Sequence, residues 1–174
     1  MEKMDRMKCA LSQATVQLLN QQVGMEARSS AHYLAMASWC DVQGYKCAAA
    51  FLYHHAEEEK EHMLKLFRYI NDAGGHALYP VITDIQHTFP SFRQVFEQAL
   101  VHEVSVTQAI HHLADHCLAI KDFSTFNFLQ WFVAEQIEEE ALTRRAVELF
   151  DVIGEEGIGR YTIDKALGKL RGST

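Results

Sequence analysis

Glu59 and His62, within His55-Ala56-Glu57-Glu58-Glu59-Lys60-Glu61-His62, set a carboxylate and an imidazole three residues apart. On a helix two such side chains share a face, so together they can grip one metal ion. Alone the pair is a weak signal, because glutamate-rich helices usually turn a solvated face to water. It gains weight from Glu26, Glu103 and Glu139, each of which interrupts an apolar seam elsewhere in the chain. Carboxylates with one imidazole and no thiolate suit iron or manganese better than structural zinc, which prefers Cys and His in a closed tetrahedron.

The elements that must position these groups are long helices. From about Ser12 to Cys40 the residues Val16, Leu19, Val23, Glu26, Ser30, Tyr33, Ala37 and Cys40 recur every three or four positions, the inward stripe of a bundled helix. A second helix, about residues 45 to 73, carries the stripe Ala48, Leu52, His55, Glu59, His62 and Leu66. The third, about 92 to 120, carries Phe92, Phe96, Ala99, Glu103, Val106 and Ile110. The fourth, about 124 to 152, carries Leu129, Phe132, Gln136, Glu139, Thr143 and Ala146. In each stripe the polar interruption falls near the middle.

The one long connection, Gly74 to Pro90, holds both prolines and is followed by a Ser91-x-x-Gln94 capping pattern. Its roughly 17 residues can stretch past ~50 Å, enough to span a helix of about 29 residues at ~43 Å. It reads as a crossover, in which Val81-Ile82 pairs locally or meets another subunit. After Gly154-Glu155-Glu156-Gly157 a short amphipathic segment, about 160 to 171, forms a fifth helix with Ile163, Ala166, Leu167 and Leu170 on one face. The reading is all-α: a four-helix bundle with one long crossover and a short C-terminal helix, in a single domain spanning residues 1–174.

Mid-helix residues meet at mid-height whichever way the helices point, so Glu26, Glu59, Glu103, Glu139 and His62 converge inside the bundle. Buried carboxylates left unpaired would each cost several kcal/mol or take up protons. Two divalent cations balance four negative charges, one held by Glu26, Glu59 and His62 and the other by Glu59, Glu103 and Glu139. Gln136 shares the seam. Glu58, Glu135 and Glu138 flank it, as either an adjoining third metal site or an acidic surface. Tyr33 and Trp131 read first as core aromatics, with electron or hydrogen-bond donation to the site as the alternative. His55 reads as a hydrogen-bonded core histidine rather than a ligand, His102 as a residue at the seam's edge, and His112 and His116 as solvent-facing.

The chain has 174 residues, of which 48% are hydrophobic, and a formal net charge of −7. That length suffices for one sizeable core, and that charge argues against a nucleic-acid footprint and for cations as partners. Met1-Glu2-Lys3-Met4-Asp5-Arg6-Met7-Lys8 has no signal-peptide core, and no apolar run reaches the ~18 residues of a membrane helix. A cytoplasmic location is expected. Cys9, Cys40, Cys47 and Cys117 form no CxxC pair, so reduced thiols are expected, with Cys40 and Cys117 packed in the core.

The ordered set Glu26-Ala27-Arg28-Ser29-Ser30 with Tyr33, Ala49-Ala50-Phe51-Leu52 through His62, His102-Glu103, and Thr125-Phe126-Asn127-Phe128-Leu129-Gln130-Trp131 through Glu139 resembles the ferritins, most closely the bacterial non-haem ferritins. The resemblance implies a di-iron ferroxidase centre, Glu26, Glu59 and His62 on one iron and Glu59, Glu103 and Glu139 on the other, with Gln136 beside the second. It also implies a third iron site from Glu58, Glu135, Glu138 and Glu139, with Tyr33 and Trp131 close by. The expected substrates are Fe(II) and oxygen or peroxide, and the expected assembly is a hollow shell of twenty-four copies that stores ferric mineral. A haem-binding relative would carry a second Glu-x-x-His on the fourth helix and a methionine after the bridging glutamate. Here stand Gln136-x-x-Glu139 and Lys60, so no haem is expected.

Overall fold

The computed structural model describes residues 10–170. Cys9 and the leading Met1–Lys8 stretch, in which no signal-peptide core is read, lie outside them. The elements are α1 (Gln13–Val42), α2 (Lys46–Asp72), α3 (Phe92–Ala119), α4 (Phe123–Ile153) and α5 (Gly159–Leu167). No helix of the described residues is long and apolar enough to cross a membrane.

Three of the long helices start on side-chain caps. The Thr15 backbone N–H donates to Ser12 Oγ at 3.0 Å, Gln94 N–H to Ser91 Oγ at 3.2 Å, and Thr125 N–H to Asp122 Oδ1 at 3.0 Å. Each satisfies an amide that the helix itself leaves unbonded. The exception is α2, whose N-cap residue Tyr45 makes no such bond. Its cap comes from α5: the buried Asp164 carboxylate accepts from Cys47 N–H at 3.0 Å and Ala48 N–H at 2.9 Å. A negative charge at a helix N-terminus is also favoured by the aligned peptide dipoles. The fifth helix is therefore tied to the bundle by polar as well as apolar contacts, with Ile163 and Leu167 fully buried. It is shorter than the sequence pattern suggests and ends at Leu167. A Cβ at Gly168 would lie 2.7 Å from Cys47 Cβ, so glycine permits the close approach that brings Asp164 to its amides.

Helices α1 and α2 pack along each other, as do α3 and α4, while α1 meets α3 and α5 rests on α2 and α4. The short links make the paired neighbours antiparallel. Between α2 and α3 the crossover, residues 73–91, contains no strand, so the Val81-Ile82 stretch does not pair with a local strand. Val81 is exposed and Ile82 packs on the core. Side chains of α1 hold this segment down. Asn20 donates to the His76 carbonyl at 3.0 Å and accepts from Leu78 N–H at 2.7 Å, and Arg28 donates to the Thr83 carbonyl at 2.6 Å.

The apolar interior is in two parts. One contains Tyr33, Leu52, Phe96 and Phe150, and the other contains Leu19, Leu66, Ile110 and Phe132. On every long helix a buried polar residue marks the division: Glu26 on α1, Glu59 and His62 on α2, Glu103 on α3, Gln136 and Glu139 on α4. Cys40 and Cys117 are buried free thiols, one in each part.

Candidate metal centre

The polar layer is almost closed to solvent: Glu103 has no exposure, Glu26 and Glu59 have 1% and Glu139 has 3%. Glu26, Glu59 and His62 each offer a ligand atom, and these atoms lie within 4.8 Å of one another. The same holds for His62, Glu135 and Glu139, and for His55, Glu58 and Glu139. Among the described residues, buried oxygens without a hydrogen-bond partner are Glu26 Oε2, Glu59 Oε2 and Glu139 Oε2. A carboxylate oxygen stripped of water and given no donor is costly unless protonated or bound to a cation. Three such atoms in one layer fit divalent metal.

Other oxygens are held in place. Gln22 Nε2 donates to Glu26 Oε1 at 2.8 Å, and the Tyr33 hydroxyl donates to Glu103 Oε1. Gln136 Nε2 lies 3.2 Å from Glu103 Oε2 and 3.3 Å from the Glu103 carbonyl. The Gln22 bond leaves the opposite oxygen of Glu26 without a hydrogen-bond partner. Gln22 escaped the sequence reading. Its signal was position: it lies one turn before Glu26 on the same face, where a buried amide has little reason to stand without a polar partner.

Proton affinities record the strain of this layer. Burial, then the Glu26 and Glu103 charges, pushes the Glu59 carboxyl well above the ordinary range. Burial and the nearby Glu139 raise Glu103 to about 7, against the lowering effect of the Tyr33 and Gln136 hydrogen bonds. Burial also raises Glu135, and burial with the Glu103, Glu59 and Glu139 charges raises the Tyr33 phenol well above its usual value. Glu139 goes the other way. Burial would raise it, but His55, with His62 and His54 behind it, outweighs burial and lowers it; His55 is raised by Glu139, Glu58 and Glu103, although burial alone would lower it. Without metal, protons carry part of the positive charge the layer requires.

The outer residues divide. Glu58 and Glu135 reach the layer from α2 and α4, whereas Glu138 is exposed and joins none of the three groups. Between α2 and α4 a cleft of about 710 Å³ is lined by Glu58, His62, Lys65, Tyr69, Trp131 and Glu135. Tyr33 is a core aromatic and also a donor to the site. Trp131 is not a core residue: it is 39% exposed, set edge-on to His62, with Lys65 Nζ 3.3 Å from its ring centroid. An amphipathic indole at a cleft wall, capped by a cation, satisfies both its faces. His55 is in the core as expected, but neither ring nitrogen makes a hydrogen bond. His102 is half-buried and its Nε2 lies 2.6 Å from Ser29 Oγ; burial, with His32 and Arg28 nearby, lowers it to about 4. His112 is exposed, while His116 is half-buried beside Thr15.

Residues 16–153 match the family model described as a ferritin-like domain. The chain is 44% identical over 160 residues to a probable bacterial non-heme ferritin-like protein of Haemophilus influenzae, covering 92% of this chain and 97% of that one. It is 43% identical to a bacterial non-heme ferritin of Campylobacter jejuni, covering 92% and 96%. Among solved structures, an open pore ferritin from the archaeon Archaeoglobus fulgidus superimposes with a TM-score of 0.89 at 36% identity, over 92% of this chain and 99% of that one.

Proposed function

Because this chain belongs to the ferritin family, we propose that it stores and detoxifies iron. It oxidises Fe(II) to Fe(III) with oxygen or peroxide at a paired site and keeps the ferric product as mineral inside a hollow shell. The observation that carries this reading is the convergence of Glu26, Glu59 and His62, with a buried oxygen of each glutamate lacking a hydrogen-bond partner.

Fe(II) is the substrate in this scheme. Glu26, Glu59 and His62 hold one ion, Glu59, Glu103 and Glu139 hold the other beside Gln136, and Glu59 serves both. Each ion gives up one electron, so two held side by side deliver the pair that oxygen needs to reach the peroxide level, or that peroxide needs to become water. Glu59 and Glu103 release their protons as iron arrives, and Tyr33 keeps Glu103 oriented. Glu58, Glu135 and Glu139 form an acidic third position beside the pair, with Glu138 joining only if its exposed side chain turns inward on binding. The negative charge of the protein favours capture of cations.

The shell is a homo-oligomer of twenty-four copies, located in the cytoplasm, without haem and without nucleic-acid or membrane partners. Exposed apolar residues such as Leu34, Tyr79 and Val81 supply surface for contacts between copies. Comparing the initial rate of Fe(II) oxidation by the wild type with that of Glu59→Ala tests the paired site. Loss of the fast reaction in the variant supports it, and a near-normal rate contradicts it.

A further inference from the structure

Two imidazoles that the paired site does not use meet between α1 and α3, helices that do not line the cleft described above. His32 on α1 and His102 on α3 are both half-buried, with ring centroids 5.4 Å apart and planes inclined at 46°. The second of these rings has a fixed tautomer. The fully buried Ser29 hydroxyl gives its own proton to the Met25 carbonyl at 3.1 Å, so toward His102 Nε2, 2.6 Å away, it can only accept. Nε2 therefore carries the ring hydrogen and Nδ1 keeps its lone pair. Anchoring through one nitrogen is how proteins hold an imidazole so that the other can bind a metal.

The spacing of the two rings suits one ion between them. With Zn–N bonds of ~2.0–2.1 Å each ring centroid stands roughly 3.2 Å from the ion, and an N–Zn–N angle of ~110–120° sets the two centroids roughly 5.2–5.5 Å apart. The observed 5.4 Å falls in that interval. We infer that His102 Nδ1 and a nitrogen of His32 together hold a zinc or copper ion between α1 and α3, with water completing its shell.

The surroundings bear on which ions fit. Two imidazoles without a carboxylate suit zinc or copper, whereas magnesium and calcium prefer an all-oxygen shell. Arg28 is the adverse charge. Burial and then Arg28 lower the proton affinity of His32, as burial, His32 and Arg28 lower that of His102, and an unprotonated ring is the form that binds metal. The Arg28 guanidinium is itself turned to the crossover, donating to the Thr83 carbonyl at 2.6 Å and lying 3.9 Å from Asp84, whose charge offsets it. None of the ligands proposed for the paired or third positions takes part, so this ion binds independently of iron oxidation.

Zn(II), which does not change oxidation state, is the probe. Crystals of the intact protein are soaked in Zn(II) with excess Mg(II), anomalous difference maps are recorded, and Zn(II) affinities are measured by calorimetry. The expected result is a peak within bonding distance of His102 Nδ1 and of a His32 nitrogen. In His32→Leu that peak disappears, and the affinity at this position falls by tenfold or more as an order-of-magnitude estimate, while ions at Glu26, Glu59 and His62 remain. His32→Phe, a second variant, keeps a ring in the same place and guards against loss through misfolding. A wild-type crystal with Zn(II) at Glu26, Glu59 and His62 but none at His32 and His102 overturns the inference, as does an ion that persists there in either variant.

Discussion

The Tyr33 hydroxyl, on α1, donates to Glu103 Oε1, on α3, across the centre of the bundle. A donor to a buried carboxylate favours its charged form, so Tyr33 holds Glu103 readier to give up its proton than burial alone would allow. Tyr33→Phe removes that donor. The Glu103 pKa then rises above about 7, by roughly one pH unit for a lost hydrogen bond to a carboxylate. Because Fe(II) must displace the proton, the oxidation rate at pH 6.5 falls severalfold and recovers at higher pH. A pH–rate profile of the variant that overlays the wild type would remove Tyr33 from this role.

Stability of the metal-free protein follows from the same groups. Glu103 is raised in the folded state from 4.5 to about 7, and Glu59 is raised well above its usual value. The folded chain therefore binds more protons than the unfolded chain between those limits. Stability contributed by these groups is present below pH 4.5 and lost as pH rises through the folded value, on the order of 3 kcal/mol from Glu103. His55, also raised, acts in the same direction; the lowered Glu139 opposes it only in the acid range, where its contribution is lost as pH falls. Urea unfolding at pH 5 and pH 8, in chelator and at fixed chain concentration, should show the lower midpoint at pH 8. Adding Zn(II) should cancel or reverse the difference.

Glu59→Gln separates chemistry from folding. The amide keeps the shape of the side chain but removes a charge that burial disfavours. The variant is expected to lose the fast oxidation by tenfold or more as an order-of-magnitude estimate, while its metal-free form unfolds at a midpoint no lower than the wild type at pH 8. A sharp loss of stability together with activity would mean that Glu59 is structural.

Asp164→Ala examines a remote element. It strips the cap from α2, leaving the Cys47 and Ala48 amides without their acceptor, at a cost of about 1–2 kcal/mol. Thermal unfolding should shift down. The initial oxidation rate per folded chain should not change, because α5 contributes nothing to the polar layer.

The helices and the buried polar layer were legible because burial makes charge conspicuous. Glu26, Glu59, Glu103 and Glu139 break apolar stripes at inward positions, and an unpartnered inward glutamate demands an explanation from sequence alone. Groups that answer such a demand are harder to see. Gln22 supports Glu26 from a position that a neutral polar residue occupies without comment, and the Tyr33 contact joins residues on different helices whose rotation no periodicity fixes. Trp131 was misplaced because a seam read at three- and four-residue steps does not locate the cleft between α2 and α4. The unpartnered state of His55 depends on ring angle, which sequence does not carry. The Asp164 cap on α2 joins segments over a hundred residues apart, beyond any local capping pattern.

The central claim is that two Fe(II) ions react together in the layer formed by Glu26, Glu59, His62, Glu103 and Glu139. Stopped-flow oxidation of Fe(II) by the metal-free protein in oxygenated buffer, followed as a function of iron added per chain, tests it most directly. The account predicts a fast phase whose amplitude grows to about two irons per chain, or three if the adjoining position joins the reaction, and then saturates. A rate no faster than a protein-free control at every ratio would contradict it.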